Sequence, residues 1–157
     1  NHRGESFTDV AFLFGVSHES DCRSVVAADL DADGRQDLLV VEHSWTHEKK
    51  LTGIQAFLIH RNVAPSKNWL AIQLVGTAGT SPIGSKVTLR GSFGSNERHI
   101  VTGDSFFAQH PTVAHFGLGD YMAKDVERVS ITWPDGRVST SKVEGVNRYL
   151  RLRAPTE

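Results

Sequence analysis

Asp29-Leu30-Asp31-Ala32-Asp33-Gly34-Arg35-Gln36-Asp37, set between the apolar runs Val25-Val26-Ala27-Ala28 and Leu38-Leu39-Val40-Val41, is the stretch from which the rest of the chain can be read. Alternate carboxylates on a tight loop converge on a hard cation, and Gly34 supplies the sharp turn. Four like charges crowded without a cation repel one another, so a bound dication, Ca2+, is the simplest reading. An EF-hand begins in the same way, but its twelfth loop position would be Val40 in place of a bidentate Glu, and the flanks read as strands instead of amphipathic helices. The expectation is a β-hairpin calcium loop. Asp29, Asp31, Asp33 and Asp37 give carboxylates and Arg35 a backbone carbonyl; the alternative is a solvated acidic turn, because Asp-Gly is also a common hairpin signal.

Outward from the loop the β pattern continues. Helical periodicity is nearly absent, and short β-branched or alternating runs recur between Gly, Asp, Asn and Pro. The chain is expected to be all-β, with strands at 24–28, 37–42, 55–60, 69–76, 86–90, 98–102, 113–116, 128–133, 138–142 and 149–153. Leu70, Ile72 and Leu74 share one face, as do Val129, Ile131 and Trp133, marking strands with a core-facing side. A short helix is expected at 121–125, capped by Asp120. Asn62, Pro65, Ser66 and Asn68 interrupt the strand pattern, which places a boundary between residues 1–66 and 67–157.

Composition narrows the function. With 157 residues the chain can bury a real core, and 17 basic against 18 acidic residues, with no long block of either sign, argue against a nucleic-acid binder. The apolar stretches are too short for a membrane span. A single cysteine, Cys22, excludes an intrachain disulfide; its polar surroundings suggest no reactive thiol, and a structural role is expected. The start, Asn1-His2-Arg3-Gly4-Glu5, has neither an initiator Met nor a signal-peptide core, which reads as a processed chain or a piece of a longer one. No N-x-S/T sequon is present.

Other chemistry is weaker. His43 and His47 have helical i, i+4 spacing but follow a strand and lead into Glu48-Lys49-Lys50, so a solvated loop is expected there. His99, His110 and His115 read as ordinary core or surface histidines. Gly103-Asp104-Ser105-Phe106 superficially suggests a lipase serine, without the α/β fold or the late base that such a nucleophile needs. Trp45, Trp69, Trp133, Phe106, Phe107 and Phe116 include aromatic faces that could stack on a sugar, although core packing is the commoner use.

Two resemblances now emerge. Phe7-Thr8-Asp9-Val10-Ala11, Gly15-Val16, the run from Val26 through the acidic loop to Val40, and Arg61-Asn62 resemble the last FG-GAP/VCBS-type repeat of a calcium-binding propeller. Asn68-Trp69-Leu70, Leu74-Val75-Gly76-Thr77, Ile83-Gly84-Ser85-Lys86-Val87, Gly103-Asp104-Ser105-Phe106, His115-Phe116-Gly117-Leu118-Gly119 and the run from Val129 to Arg137 resemble the ASPIC/UnbV domain of cartilage acidic protein-like proteins. The resemblance implies a propeller-blade-like unit followed by an antiparallel β-sandwich or barrel-like domain. It also implies calcium on Asp29, Asp31, Asp33, Arg35 and Asp37, and a secreted or cell-surface structural or adhesion module without catalysis. Its expected partners are proteins, glycans or copies of itself, including filaments; the alternative is a carbohydrate-binding module with a structural calcium. Propellers carry several repeats and this chain has one, so the blade is expected to pack on the following domain, on a preceding part of a longer chain, or on neighbouring copies.

Overall fold

The computed structural model describes residues 5–18, 20–45 and 51–156, with the side chains of 44–45 and 51–55 left out. The fold is all-β: β1 (Asp21–Ala28), β2 (Asp37–Trp45), β3 (Leu51–His60), β4 (Asn68–Val75), β5 (Lys86–Gly91), β6 (Gly94–His99), β7 (Val113–Gly119), β8 (Val126–Thr132), β9 (Val138–Ser141) and β10 (Arg148–Arg153). They form three sheets, ordered β1-β2-β3, β10-β4-β7 and β6-β5-β8-β9.

The second and third sheets face each other as a sandwich. Alternation places Leu70, Ile72 and Leu74 of β4 and Ala114, Phe116 and Leu118 of β7 opposite Val87 and Leu89 of β5 and Val129 and Ile131 of β8, all buried in one cluster. Trp133 closes that core just past β8, 1% exposed, with its indole N–H donating to Ser139 Oγ at 2.9 Å. Burying side chains of this kind contributes about 1.5–3 kcal/mol each, which is why this part of the chain carries the core.

The first sheet is thinner. Val40 is its buried apolar residue among those described, while Val25, Phe57 and Ile59 stay 47%, 67% and 64% exposed. Its β1 edge rests on the sandwich: Val25 N–H donates to Ser105 Oγ at 3.3 Å and Ser105 Oγ donates back to the Val25 carbonyl at 2.8 Å. Ser24 Oγ also donates to the Phe106 carbonyl.

Several expectations are corrected. The pairing is not wholly antiparallel, because β10 runs parallel to β4, Arg148 opposite Leu70 through Arg153 opposite Val75. The strand expected at 98–102 lies earlier, at Gly94–His99, because Gly94, with φ of 94°, closes a tight turn from Gly91. Ile100 leaves that ladder, its N–H donating to the Ser85 carbonyl at 2.9 Å and its carbonyl accepting from Gly84 at 2.7 Å. The short helix is a single 3-10 turn over Ala123–Asp125. Asp120 does not cap it but pairs with Lys67 at 2.7 Å; Asp125 instead accepts from Met122 N–H at 2.8 Å. Cys22 is exposed, beside a register shift in β1, so it is not a buried packing residue.

Candidate metal centre

The acidic loop joins β1 to β2, whose antiparallel register closes at Ala28 opposite Asp37. Two residues turn the backbone through the left-handed region, Ala32 at φ of 59° and Gly34 at 86°. The carboxylates then fold back onto the loop's own N–H groups. Asp29 Oδ1 accepts from Asp33 N–H at 3.0 Å, Asp29 Oδ2 from Gly34 N–H at 2.9 Å, and Asp33 Oδ1 from Arg35 N–H at 2.9 Å. These bonds hold Asp29 and Asp33 in place, and Asp29, Asp31 and Asp33 stand with one oxygen of each within 4.8 Å of the others.

Asp37 sits apart from that trio. It is 3% exposed, accepting from Leu30 N–H at 3.2 Å and Asn62 N–H at 2.7 Å, so it ties the loop to the exit of β3. Two guanidinium groups stand among the carboxylates: Arg61 contacts Asp31 at 2.7 Å and Asp33 at 3.9 Å, and Arg35 pairs with Asp33. The Arg35 N–H bond, ahead of the guanidinium charge, holds the Asp33 carboxyl below the usual carboxylate range. The trio offers hard oxygens at convergent spacing, the donor chemistry that Ca2+ takes and softer ions do not prefer. A cation there meets competition from Arg35 and Arg61, which already offset part of the repulsion between the acids.

The loop is held from the other side by the sandwich. Gly34 lies against the Trp69 indole so closely that a Cβ would overlap the ring. Since the Gly34 carbonyl can only accept, His115 Nε2 carries the proton in their 2.9 Å hydrogen bond. Tyr149 donates its hydroxyl proton to Asp29 Oδ2 at 2.8 Å, and Trp69 stacks on His115 with centroids 5.8 Å apart. Burial, the largest influence, lowers the His115 pKa, and burial followed by the Asp29 bond pushes the Tyr149 hydroxyl up to about 12. Beside these residues opens a cleft of about 490 Å³ whose lining includes Asp29, Gln36, Arg98, His110, His115 and Tyr149.

The spacing of the loop residues points to the acids and to Arg35, but not to Trp69, His115 and Tyr149 as their supports. One signal was present: Trp69 and Ala71 put apolar residues on the face of β4 opposite Leu70, Ile72 and Leu74, and both are buried. Ser105 uses its hydroxyl to cover the edge of β1, and His110 pairs with Asp104 at 2.9 Å. The His43 and His47 pair falls on His47, outside the described residues, as does the side chain of Trp45. Trp69 and Trp133 are buried and present no open stacking face. No helix among the described residues is long and apolar enough to cross a membrane.

Cartilage acidic protein 1 of Mus musculus is 32% identical over 135 residues, 84% of this chain and 20% of that protein. The Homo sapiens protein is 30% identical over 135 residues, covering 84% and 19%, and the Xenopus tropicalis protein 32% over 148 residues, covering 91% and 22%. The chain therefore spans about a fifth of the length of the curated relatives it matches. The family described as ASPIC and UnbV matches residues 76–157, the stretch that builds most of the sandwich and all of its second layer, and the chain belongs to that family.

Proposed function

We propose that this chain is a non-catalytic, extracellular calcium-binding module that presents a surface for protein association, including association with its own copies. Residues 1–66 form the calcium-loop unit, an FG-GAP/VCBS-like blade, and residues 67–157 the ASPIC/UnbV sandwich that supports it. The observation that carries the reading is the convergence of Asp29, Asp31 and Asp33 on a loop docked against Trp69, His115 and Tyr149. Calcium would be held by the three carboxylates, with Arg35 through its carbonyl; for Asp37 to complete the set, as the β-hairpin reading assigns it, its carboxylate would turn to the ion from the Leu30 and Asn62 N–H groups. An ion on these residues bridges the hairpin to a loop already gripped by the sandwich, so its binding free energy adds to the stability of both. Phe57 and Ile59, which share one face of the thin sheet, supply apolar contact where an unpaired edge and an uncovered face favour association.

Calorimetric titration with calcium tests this directly. Asp33→Ala and Asp31→Ala are each expected to weaken binding by at least about tenfold, the scale on which even outer-shell changes act, and to remove the calcium-dependent rise in melting temperature. Melting curves that coincide with and without calcium in the unaltered chain would defeat the calcium reading and leave a solvated acidic turn.

A further inference from the structure

The fold brings together two imidazoles that are 42 residues apart in the chain. Nε2 of His18 lies 2.9 Å from Nε2 of His60, with ring centroids 4.9 Å apart and the rings inclined at 53°. Both residues are half-buried. His60 ends β3, immediately before the Arg61 that pairs with Asp31, while His18 lies three residues before β1 begins at Asp21.

Two neutral rings at this distance share one proton in an N–H···N bond, and a metal ion can take that proton's place between the two nitrogens. Metal–imidazole bonds are about 2.0–2.1 Å long, so nitrogens 2.9 Å apart subtend roughly 90° at a common ion. That is the cis angle of square-planar and octahedral coordination, whereas a tetrahedral ion would hold its nitrogens farther apart. Imidazole nitrogen is a poor match for calcium, which takes oxygen ligands, and a good one for late first-row ions, whose affinity peaks at copper.

We propose that His18 and His60 form a cis two-imidazole chelate for a late first-row divalent ion, copper(II) or nickel(II), separate from the aspartate loop, with water in the remaining positions. The ion takes the place of the shared proton: the ring that donated through Nε2 moves its proton to Nδ1 by way of solvent, so the neutral pair binds with no net proton release. The chelate staples His18, ahead of β1, to the last residue of β3.

The test is titration of the whole chain with copper(II), and separately with nickel(II), at saturating calcium in a non-chelating buffer. Wild type is expected to take up one tight equivalent, with His18→Gln and His60→Gln each weakening it at least tenfold and His99→Gln leaving it unchanged. The electron paramagnetic resonance spectrum of the one-equivalent copper complex should show at least two imidazole nitrogens, reduced by one in His18→Gln. Proteolysis within residues 5–18 should slow with metal in wild type and not in His18→Gln. Equal affinity in wild type and His18→Gln would overturn the proposal, as would a spectrum with one nitrogen or none. Circular dichroism checks the fold of each variant; if His60→Gln unfolds, His18→Gln decides, since that residue lies outside the strands. Because calcium is saturating throughout and is read separately by melting, this site and the aspartate loop stand or fall independently.

Discussion

At the scale of single residues, Gly34 does two things that no other residue type can do together. Its φ of 86° turns the acidic loop, and the absence of a Cβ lets the Trp69 ring lie against it. Gly34→Ala should therefore cost roughly 1–3 kcal/mol from overpacking alone, with backbone strain in addition, measured as a lower urea midpoint. His115 adds a pH dependence whose sign follows from its burial. Its folded-state pKa lies below the ordinary 6.5, so the unfolded chain takes up the proton first. The stability due to the neutral ring is fully present above about pH 6.5 and is lost as pH falls through and below that value. His115→Gln keeps an N–H for the Gly34 carbonyl and should flatten the difference between urea midpoints at pH 7 and pH 5.5. Tyr149 acts at the opposite end. Its hydroxyl rises from 10 to about 12, so the stability it confers is present below pH 10 and lost between those values.

At the scale of elements, β4 decides most of the architecture. It lies between β10 and β7, buries Leu70, Ile72 and Leu74 in the sandwich, and turns Trp69 and Ala71 toward the acidic loop. The period of two in its sequence announced the first face. That β10 should run beside it in parallel was not legible, because parallel and antiparallel partners ask for the same alternation and only the path of residues 133–147 selects the direction. Removing residues 146–157 would strip β10 from β4 and uncover Ile72 and Leu74, which lie opposite Leu150 and Leu152. The shortened chain is expected to lose cooperative unfolding, seen as a melting curve without a sharp transition. The misplaced strand at 98–102 has a similar cause. Ile100 and Val101 carry β-branched side chains, yet the backbone bonds of Ile100 go to Ser85 and Gly84, which precede β5, past the regular end of the β5–β6 ladder.

At the scale of the whole molecule, the thin sheet and the sandwich meet, among the described residues, through a handful of polar bonds and one glycine on a tryptophan. Calcium on the aspartate loop would strengthen that junction by mass action, about 2.7 kcal/mol when calcium stands at a hundred times its dissociation constant. Sedimentation across a range of concentrations, with calcium and with a chelator, reads the companion effect on assembly. The expected outcome is a mass that grows with concentration and returns to that of one chain in Ile59→Lys, because Ile59 is 64% exposed on the sheet face left uncovered. A single-chain mass at every concentration would remove self-association and leave a different protein as the partner.

The all-β class, the residues of the acidic loop and the inward faces of the main sandwich strands are legible in the order of residues alone. These are local properties: alternation, turn residues and charge spacing act over a few positions and need no partner to be read. The three-dimensional packing shows that Asp29, Asp31 and Asp33 converge while Asp37 turns to Leu30 and Asn62, and that Arg35 and Arg61 stand among the acids. It alone placed Trp69, His115 and Tyr149 around the loop and His18 against His60. Each of those contacts joins residues far apart in the chain, and no local pattern encodes them, because they arise from the way two sheets close and a third settles on their edge.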